Sequence, residues 1–273
     1  MTASLYFGRC VVLATSVGLL CACSKGEKKR VDKSGGGDGT AQTQPVEVQP
    51  PPGPKGVVAG SVAFTGSVEM PLLQRGSDPI CAKTEKRAET ILVNSNQTLR
   101  NVVVRVKPKT VPAWRPAKTI RVDQLECMYQ PRVQAAVAGQ RLVIGNGDQT
   151  AHNVHLRTVE MGKRQGIETL WNRQQPKNMK PIESTVDDVP VIKLKCDQHG
   201  WMSGYIVVSD NGYYTVTGDT GSFELEVPTG EITIQAWHEF YGLKEKTVTV
   251  AEGARVDLAF AFDHDRDNPT GGN

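Results

Sequence analysis

The chain has 273 residues, 38 % of them hydrophobic and 22 % charged, with a formal net charge of +3. A balance this close to neutral, with no glycine-rich phosphate loop and no basic stretch interleaved with aromatics, argues against nucleic acid as a partner. No Ser/His/Asp arrangement stands out either.

Residues 1–23 read MTASLYFGRCVVLATSVGLLCAC, with one early cation, Arg9, and an apolar run over 11–20. That run is too short for a bilayer, which needs ~20 apolar residues, and it fits a secretory signal. Leu20-Cys21-Ala22-Cys23 resembles the lipobox of bacterial lipoproteins. The resemblance implies a signal peptide over 1–22 and a lipid on Cys23, with export and anchoring by acyl chains. Cys21 fits less well, because Leu20 would occupy the cleavage position. An ordinary cleaved signal with chance cysteines is the alternative. Ser24 after the lipid site implies the outer membrane. Loss of 1–22 removes one charge, Arg9, and leaves +2.

Residues 23–56 hold a basic start (Lys28, Lys29, Arg30), the run SGGGDG and the near-polyproline PPPGP. Almost nothing there can be buried, which predicts a disordered tether, stiffer toward Pro54. The basic cluster is close enough to the lipid to touch anionic headgroups. About 200 residues remain for globular structure, enough for one large or two small β domains. The first part, 57–117, predicts strands at 57–65 (VVAGSVAFT) and 101–107 (NVVVRVK).

In 133–144 the residues Val133, Ala135 and Val137 alternate, as do Leu142 and Ile144, with Ala138-Gly139 between them. The pattern predicts a β-hairpin. A polar turn then leads into His152-Asn153-Val154-His155-Leu156. On an extended strand His152, Val154 and Leu156 share one face, while Asn153 and His155 point the other way. Further on, Ile192, Leu194 and Cys196 form one face, followed by the loop CDQHGWM and a second series, Met202, Gly204, Ile206 and Val208. His152, Cys196 and Met202 are thus each in phase with a buried face.

Cysteine count singles out the same place. Cys10 and Cys21 leave with the signal and Cys23 takes the lipid, so Cys81, Cys127 and Cys196 remain. In an oxidising compartment an odd thiol is paired elsewhere or protected. Cys81 and Cys127 lie in polar, loop-like contexts suited to a disulfide. Cys196 follows a strand and opens a loop that also carries His199 and Met202. A metal would protect such a thiolate, whereas a plain buried thiol is the alternative. Thioether is of little use to zinc or magnesium, so Met202 favours copper.

AHNVH followed by CDQHGWM is similar to the cupredoxin (blue copper) family, as is the phrase G-x-x-L-x-I-x-N-x-D before the first histidine. The likeness covers roughly 118–209, and Gln198 and Gly200 depart from the prolines frequent in that loop. It implies a Greek-key β-sandwich over 118–210 and one type 1 copper, with His152, Cys196 and His199 as equatorial ligands and Met202 as the weak axial one. Asn153 would steady the loop and the sulfur. His199 would be the electron exit at the protein edge, and Trp201 beside it either part of that exit or a hydrophobic plug. Protein donors at every position leave none for substrate, which predicts an electron carrier rather than an enzyme. The segment 157–181 carries more basic than acidic residues, which would suit an acidic redox partner, although a solvated loop is the plainer reading.

Residues 211–263 predict five short strands, at 213–218, 222–227, 231–238, 244–250 and 255–262, with turns at Asp219-Thr220-Gly221 and Pro228-Thr229-Gly230. They resemble the transthyretin-like, carboxypeptidase-regulatory sandwich. The fold class is therefore all-β, two sandwiches. The strands of 57–117 are expected either to complete the C-terminal sandwich, with the cupredoxin inserted, or to form a subdomain of their own. Trp237 and His238 read as core and edge, and 264–273 as a disordered tail. Three functions compete: a lipid-anchored copper electron carrier whose redox partner the sequence does not name, a copper sequestration or delivery protein, and a metal-free adhesion or carbohydrate-contact module. The sequence leaves oligomeric state open.

Overall fold

The computed structural model describes residues 49–162 and 167–269. The signal peptide, Cys23 and most of the tether lie outside the described residues, as do 270–273. The described chain is all-β, its one helical element a 3-10 turn at Cys81–Lys83. Among the described residues no helix is long and apolar enough to cross a membrane.

Four sheets make up the fold. In the first, β1 (Lys55–Thr65) lies antiparallel to β13 (Ser222–Pro228) and parallel to β16 (Arg255–Asp257) and β17 (Phe260–Asp263). The second has the order β12 (Tyr214–Val216), β2 (Val103–Val106), β14 (Gly230–His238) and β15 (Gly242–Val250). The early strands thus pair with strands from beyond residue 212. The third sheet runs β5 (Val133–Val137), β11 (Ser203–Ser209), β10 (Val191–Lys195), β7 (His152–Val159) and β8 (Thr169–Gln175). The fourth runs β4 (Met128–Gln130), β3 (Ile120–Leu125), β6 (Arg141–Asn146) and β9 (Ile182–Thr185).

Strand alternation explains how these sheets stack. Val104 and Val106 of β2 and Ile232, Ile234 and Ala236 of β14 face β1, β13 and β17 across one core. Ile192, Leu194, Ile206 and Val208 face Ile120, Val122, Leu142 and Ile144 across another. The alternate residues of the two middle sheets, Val103 and Trp237 against Val133, Val159, Val191, Tyr205 and Val207, meet in a third apolar layer. Tyr205 and Trp237 pack there with ring centroids 5.7 Å apart. β2 and β11 are buried on both faces, and VVRV and SGYIVVS accordingly carry little polar alternation, whereas β10 (VIKLK) leaves Lys193 and Lys195 half-buried on one face. The close approach of β1 to the chain after β16 leaves no room at Gly60, where an added Cβ would sit 1.8 Å from the Leu258 carbonyl oxygen. Gly60→Ala is expected to cost about 1–3 kcal/mol or more, read as a lowered urea midpoint with unchanged slope.

Several expectations are corrected. The 133–144 stretch is two strands but no hairpin: β5 pairs in parallel with β11, whereas β6 pairs with β3 and β9 in the opposite sheet. The corner between them is held by Gly139, at φ +78°, whose N–H donates to Val186 O. The segment 157–181 is no plain loop, because β8 adds to β7 as a polar edge strand. Residues 55 and 56, taken as tether, begin β1, and the predicted strand 255–262 is two strands. Residues 264–269 are tied to the fold: His264 N donates to Thr65 O, its Nδ1 lies 2.9 Å from Tyr241 Oη, and Asp267 pairs with Lys244. His238 is fully buried and not an edge residue, since β15 covers the outer side of β14.

Candidate metal centre

The candidate ligands gather at one end of the third sheet. β7 begins at His152; β10 ends at Lys195, so Cys196 is the first residue past it, and β11 resumes at Ser203. The register Lys195↔Ser203 closes a tight loop over 196–202. Within it Met202 N donates to His199 O at 2.9 Å and Cys196 N to Met202 O at 3.3 Å. His152, Cys196 and His199 each offer a donor atom within 4.8 Å of the others. The two Nδ1 atoms lie 2.9 Å apart, and Cys196 Sγ is 3.6 Å from His199 Nδ1. Met202 is fully buried in the same apolar cluster as Cys196, among Tyr129, Val154 and Leu194.

Asn153 binds the two segments together. Its Oδ1 accepts N–H from Asp197 at 2.7 Å and from Gln198 at 3.3 Å, and lies 3.4 Å from Cys196 Sγ. Its Nδ2 donates to Asn172 Oδ1 of β8 and to Asp197 Oδ2. The hydroxyl of Tyr129 reaches the carbonyls of Asn153 (2.9 Å) and Lys195 (3.2 Å), one on each ligand-bearing strand. His155 turns away, to Asp197 and Thr169.

Cys81 and Cys127 are joined by a disulfide and, despite their polar sequence contexts, are buried against the same core. Cys196 is the free cysteine among the described residues. The disulfide brings the segment between β1 and β2 over the 196–202 loop. As a result His199 is only 4 % exposed: its Nε2 faces Asp78 Oδ2 at 3.2 Å and Cys81 Sγ at 3.9 Å, and Trp201 packs at 5.1 Å between centroids. The expectation that His199 lies at the protein edge is corrected: its ring is covered by Trp201 and by the segment that carries Asp78. Trp201 is half-buried and donates from Nε1 to Cys127 O. His152 Nε2 meets Asp148 Oδ2 at 2.9 Å.

Electrostatics follow from these contacts. Burial disfavours charge on His152, but the bond to Asp148 and the nearby Cys196 sulfur outweigh it and push its pKa up to about 9. Burial likewise acts to raise the Cys196 thiol, yet His152 and the surrounding N–H donors bring it below its ordinary value. His199 is pushed down by burial and by its neighbour His152. Sulfur as thiolate beside two imidazole nitrogens, each turned inward by a carboxylate on its outer nitrogen, is a donor set suited to a soft or borderline metal ion. Sequence reasoning missed Asp78 and Asp148. Asp78 accepts the local N–H groups of Ile80 and Cys81, whereas Asp148 accepts those of Glu126 and Cys127, far off in sequence, and no pattern in the chain ties a residue at 78 to a loop at 196–202.

No protein-family profile matches the sequence, and no curated protein matches it. Among solved structures, an amicyanin from Paracoccus versutus is 20 % identical over 44 % of this chain and 98 % of that one, at a TM-score of 0.28. A pseudoazurin from Sinorhizobium is 22 % identical over 34 % of this chain and 76 % of its own, at 0.26. A purple cupredoxin from Nitrosopumilus maritimus is 17 % identical over 33 % and 99 %, at 0.25. At scores this low the likenesses carry no argument about what this chain does.

Proposed function

We propose that the chain binds one type 1 copper through His152 Nδ1, Cys196 Sγ and His199 Nδ1, with the Met202 thioether as weak fourth donor, and serves as an electron carrier. The observation that carries the reading is the convergence of three donor atoms from β7 and the 196–202 loop around a buried, otherwise unpaired thiol with a lowered pKa. Copper would supply one-electron exchange there. The chain's own part is to hold both Nδ1 atoms inward, to fix the sulfur with Asn153, and to exclude water with Tyr129, Val154, Leu194 and Met202. Four protein donors leave no open position for substrate, which favours electron transfer over catalysis. The same reading takes 118–210 as a cupredoxin unit carried within a transthyretin-like sandwich, exported and lipid-anchored through Cys23.

The covered His199 edge favours a second reading, copper storage or delivery, because a partner's cofactor has no direct approach to that imidazole. The test uses the mature chain carrying Cys23→Ser, which removes the lipid. Cupric ion is expected to give intense absorption near ~600 nm, from sulfur-to-copper charge transfer, absent in Cys196→Ser. A colourless protein whose Cys196 titrates as a free thiol ends the copper reading. A blue protein that exchanges electrons only sluggishly with its own reduced form selects storage.

A further inference from the structure

The outer edges of the two imidazoles share an arrangement that the ligand set does not require. Asp148 Oδ2 sits on His152 Nε2, and Asp78 Oδ2 on His199 Nε2. Each carboxylate also accepts the backbone N–H of a half-cystine: Asp148 Oδ2 that of Cys127 at 2.8 Å, and Asp78 Oδ1 that of Cys81 at 3.2 Å. Cys81 and Cys127 are bonded to each other. The circuit is closed: imidazole, carboxylate, half-cystine, half-cystine, carboxylate, imidazole. Asp78 is pinned further by Ile80 N at 2.7 Å and by Thr150 Oγ1 at 2.6 Å, two residues before His152.

Little else holds the segment that supplies Asp78. Most of 71–90 is exposed or half-buried, and its fully covered members are Arg75 and Cys81. Arg75 donates to Glu126 O and Lys86 pairs with the Glu126 carboxylate, next to Cys127, so these ties run to the same turn, while Arg75 also lies over the Trp201 ring at 6.0 Å. The turn itself bends at Glu126 and Cys127, with φ of 53° and 57°, and is held by two N–H bonds into Asp148.

We propose that Asp78 and Asp148 are positioning residues of the metal centre, and that the Cys81–Cys127 disulfide yokes them so that neither imidazole turns without the other. With Nε2 held by a carboxylate, Nδ1 is the nitrogen left for the metal. The yoke also keeps the cover over His199 shut. Opening it takes an external dithiol: two thiols of the reductant become a disulfide, and two electrons and two protons pass to Cys81 and Cys127, which become thiols. The reduced chain then releases its metal faster, so the disulfide acts as a redox-sensitive catch on the bound metal. This inference rests on the proposed ligand set.

The test loads the mature Cys23→Ser chain with cobalt(II), whose thiolate charge-transfer band reports coordination without redox chemistry, and follows loss of that band to an excess of chelator. Asp78→Asn is expected to speed release about 10- to 100-fold, the range found for residues that orient a ligand. Cys81→Ser/Cys127→Ser is expected to speed it as well, and adding Asp78→Asn to that pair to do much less than in the parent, because the two act through one linkage. In the metal-free protein His199 is expected to resist carbethoxylation until the disulfide is cut. Independent, multiplying effects of Asp78→Asn and the serine pair, or release rates unmoved by either, overturn the proposal. If the serine pair does not fold, the parent treated with a dithiol supplies the same comparison, and loss of the whole fold on reduction makes the disulfide a plain structural staple. Absence of the cobalt–thiolate band in the parent defeats the ligand set itself, which distinguishes that failure from this one.

Discussion

Replacing Glu239 by alanine is expected to destabilise the protein by about 3–5 kcal/mol, the cost of leaving one member of a buried ion pair uncompensated. Glu239 lies just past β14 and Arg132 just before β5, so the pair spans the junction between the two sandwiches. Their side chains are 2 % and 6 % exposed, and they meet in two parallel bonds, Nε to Oε1 at 2.5 Å and Nη2 to Oε2 at 2.7 Å. Arg132 has further donors on Ser203 O and Oγ, at 3.2 and 3.1 Å. Ser203 follows Met202 directly, so an Arg132 released from Glu239 disturbs the end of the candidate ligand loop as well as the junction. Urea unfolding checks the magnitude. Arg132→Met/Glu239→Leu provides the contrast: removing both charges together is expected to be near neutral, since no ion is then stranded. A Glu239→Ala loss below about 1 kcal/mol would mean that water reaches Arg132, as at a surface pair.

The candidate ligand loop is legible in the sequence because it is local. Strand parity placed His152, Cys196 and Met202 on buried faces, and the backbone follows that phase. Parity was less informative where a strand is covered twice. Tyr205 and Val207 are as buried as Ile206 and Val208, because a second sandwich lies behind them. Alternation also says nothing about partners. Val133 to Ile144 reads as a hairpin, yet its halves part into opposite sheets, because each finds its pairing far along the chain, with β11 for one and β3 for the other. β8, whose sequence TLWNRQQ is mostly polar, reads as loop because an edge strand exposes one side and much of the other. Asp78, facing the outer nitrogen of His199, was illegible for the same reason as the Arg132–Glu239 pair, since topology alone brings it there; Asp148 lies only four residues before His152.

His238 sets an acid limit on the fold. Its ring is fully buried at the end of β14, stacked on Tyr241 at 5.0 Å between centroids and packed against Phe262. Nδ1 accepts the N–H groups of Phe240 and Tyr241, at 3.2 and 3.4 Å, while Nε2 is buried without a partner. With Nδ1 accepting, Nε2 carries the one proton of the neutral ring, so a second proton has to go to Nδ1 at the expense of both backbone bonds. Burial, helped by the charge of Arg132, therefore pushes the pKa down to about 3 from 6.5. The unfolded chain takes up this proton near 6.5 and the folded one does not, so between those values the unfolded state binds more protons and stability rises with pH. The contribution is complete above pH 6.5 and drains as pH falls, by about 1.4 kcal/mol per unit, or about 2 kcal/mol at pH 5. Other groups titrate too, which makes the measurement a difference. Urea midpoints of the parent and of His238→Gln are compared at pH 7 and pH 5, and the parent is expected to lose about 2 kcal/mol more. Equal losses in the two proteins would show that the ring is charged in the fold at pH 5, and would require the N–H groups of Phe240 and Tyr241 to turn away from Nδ1.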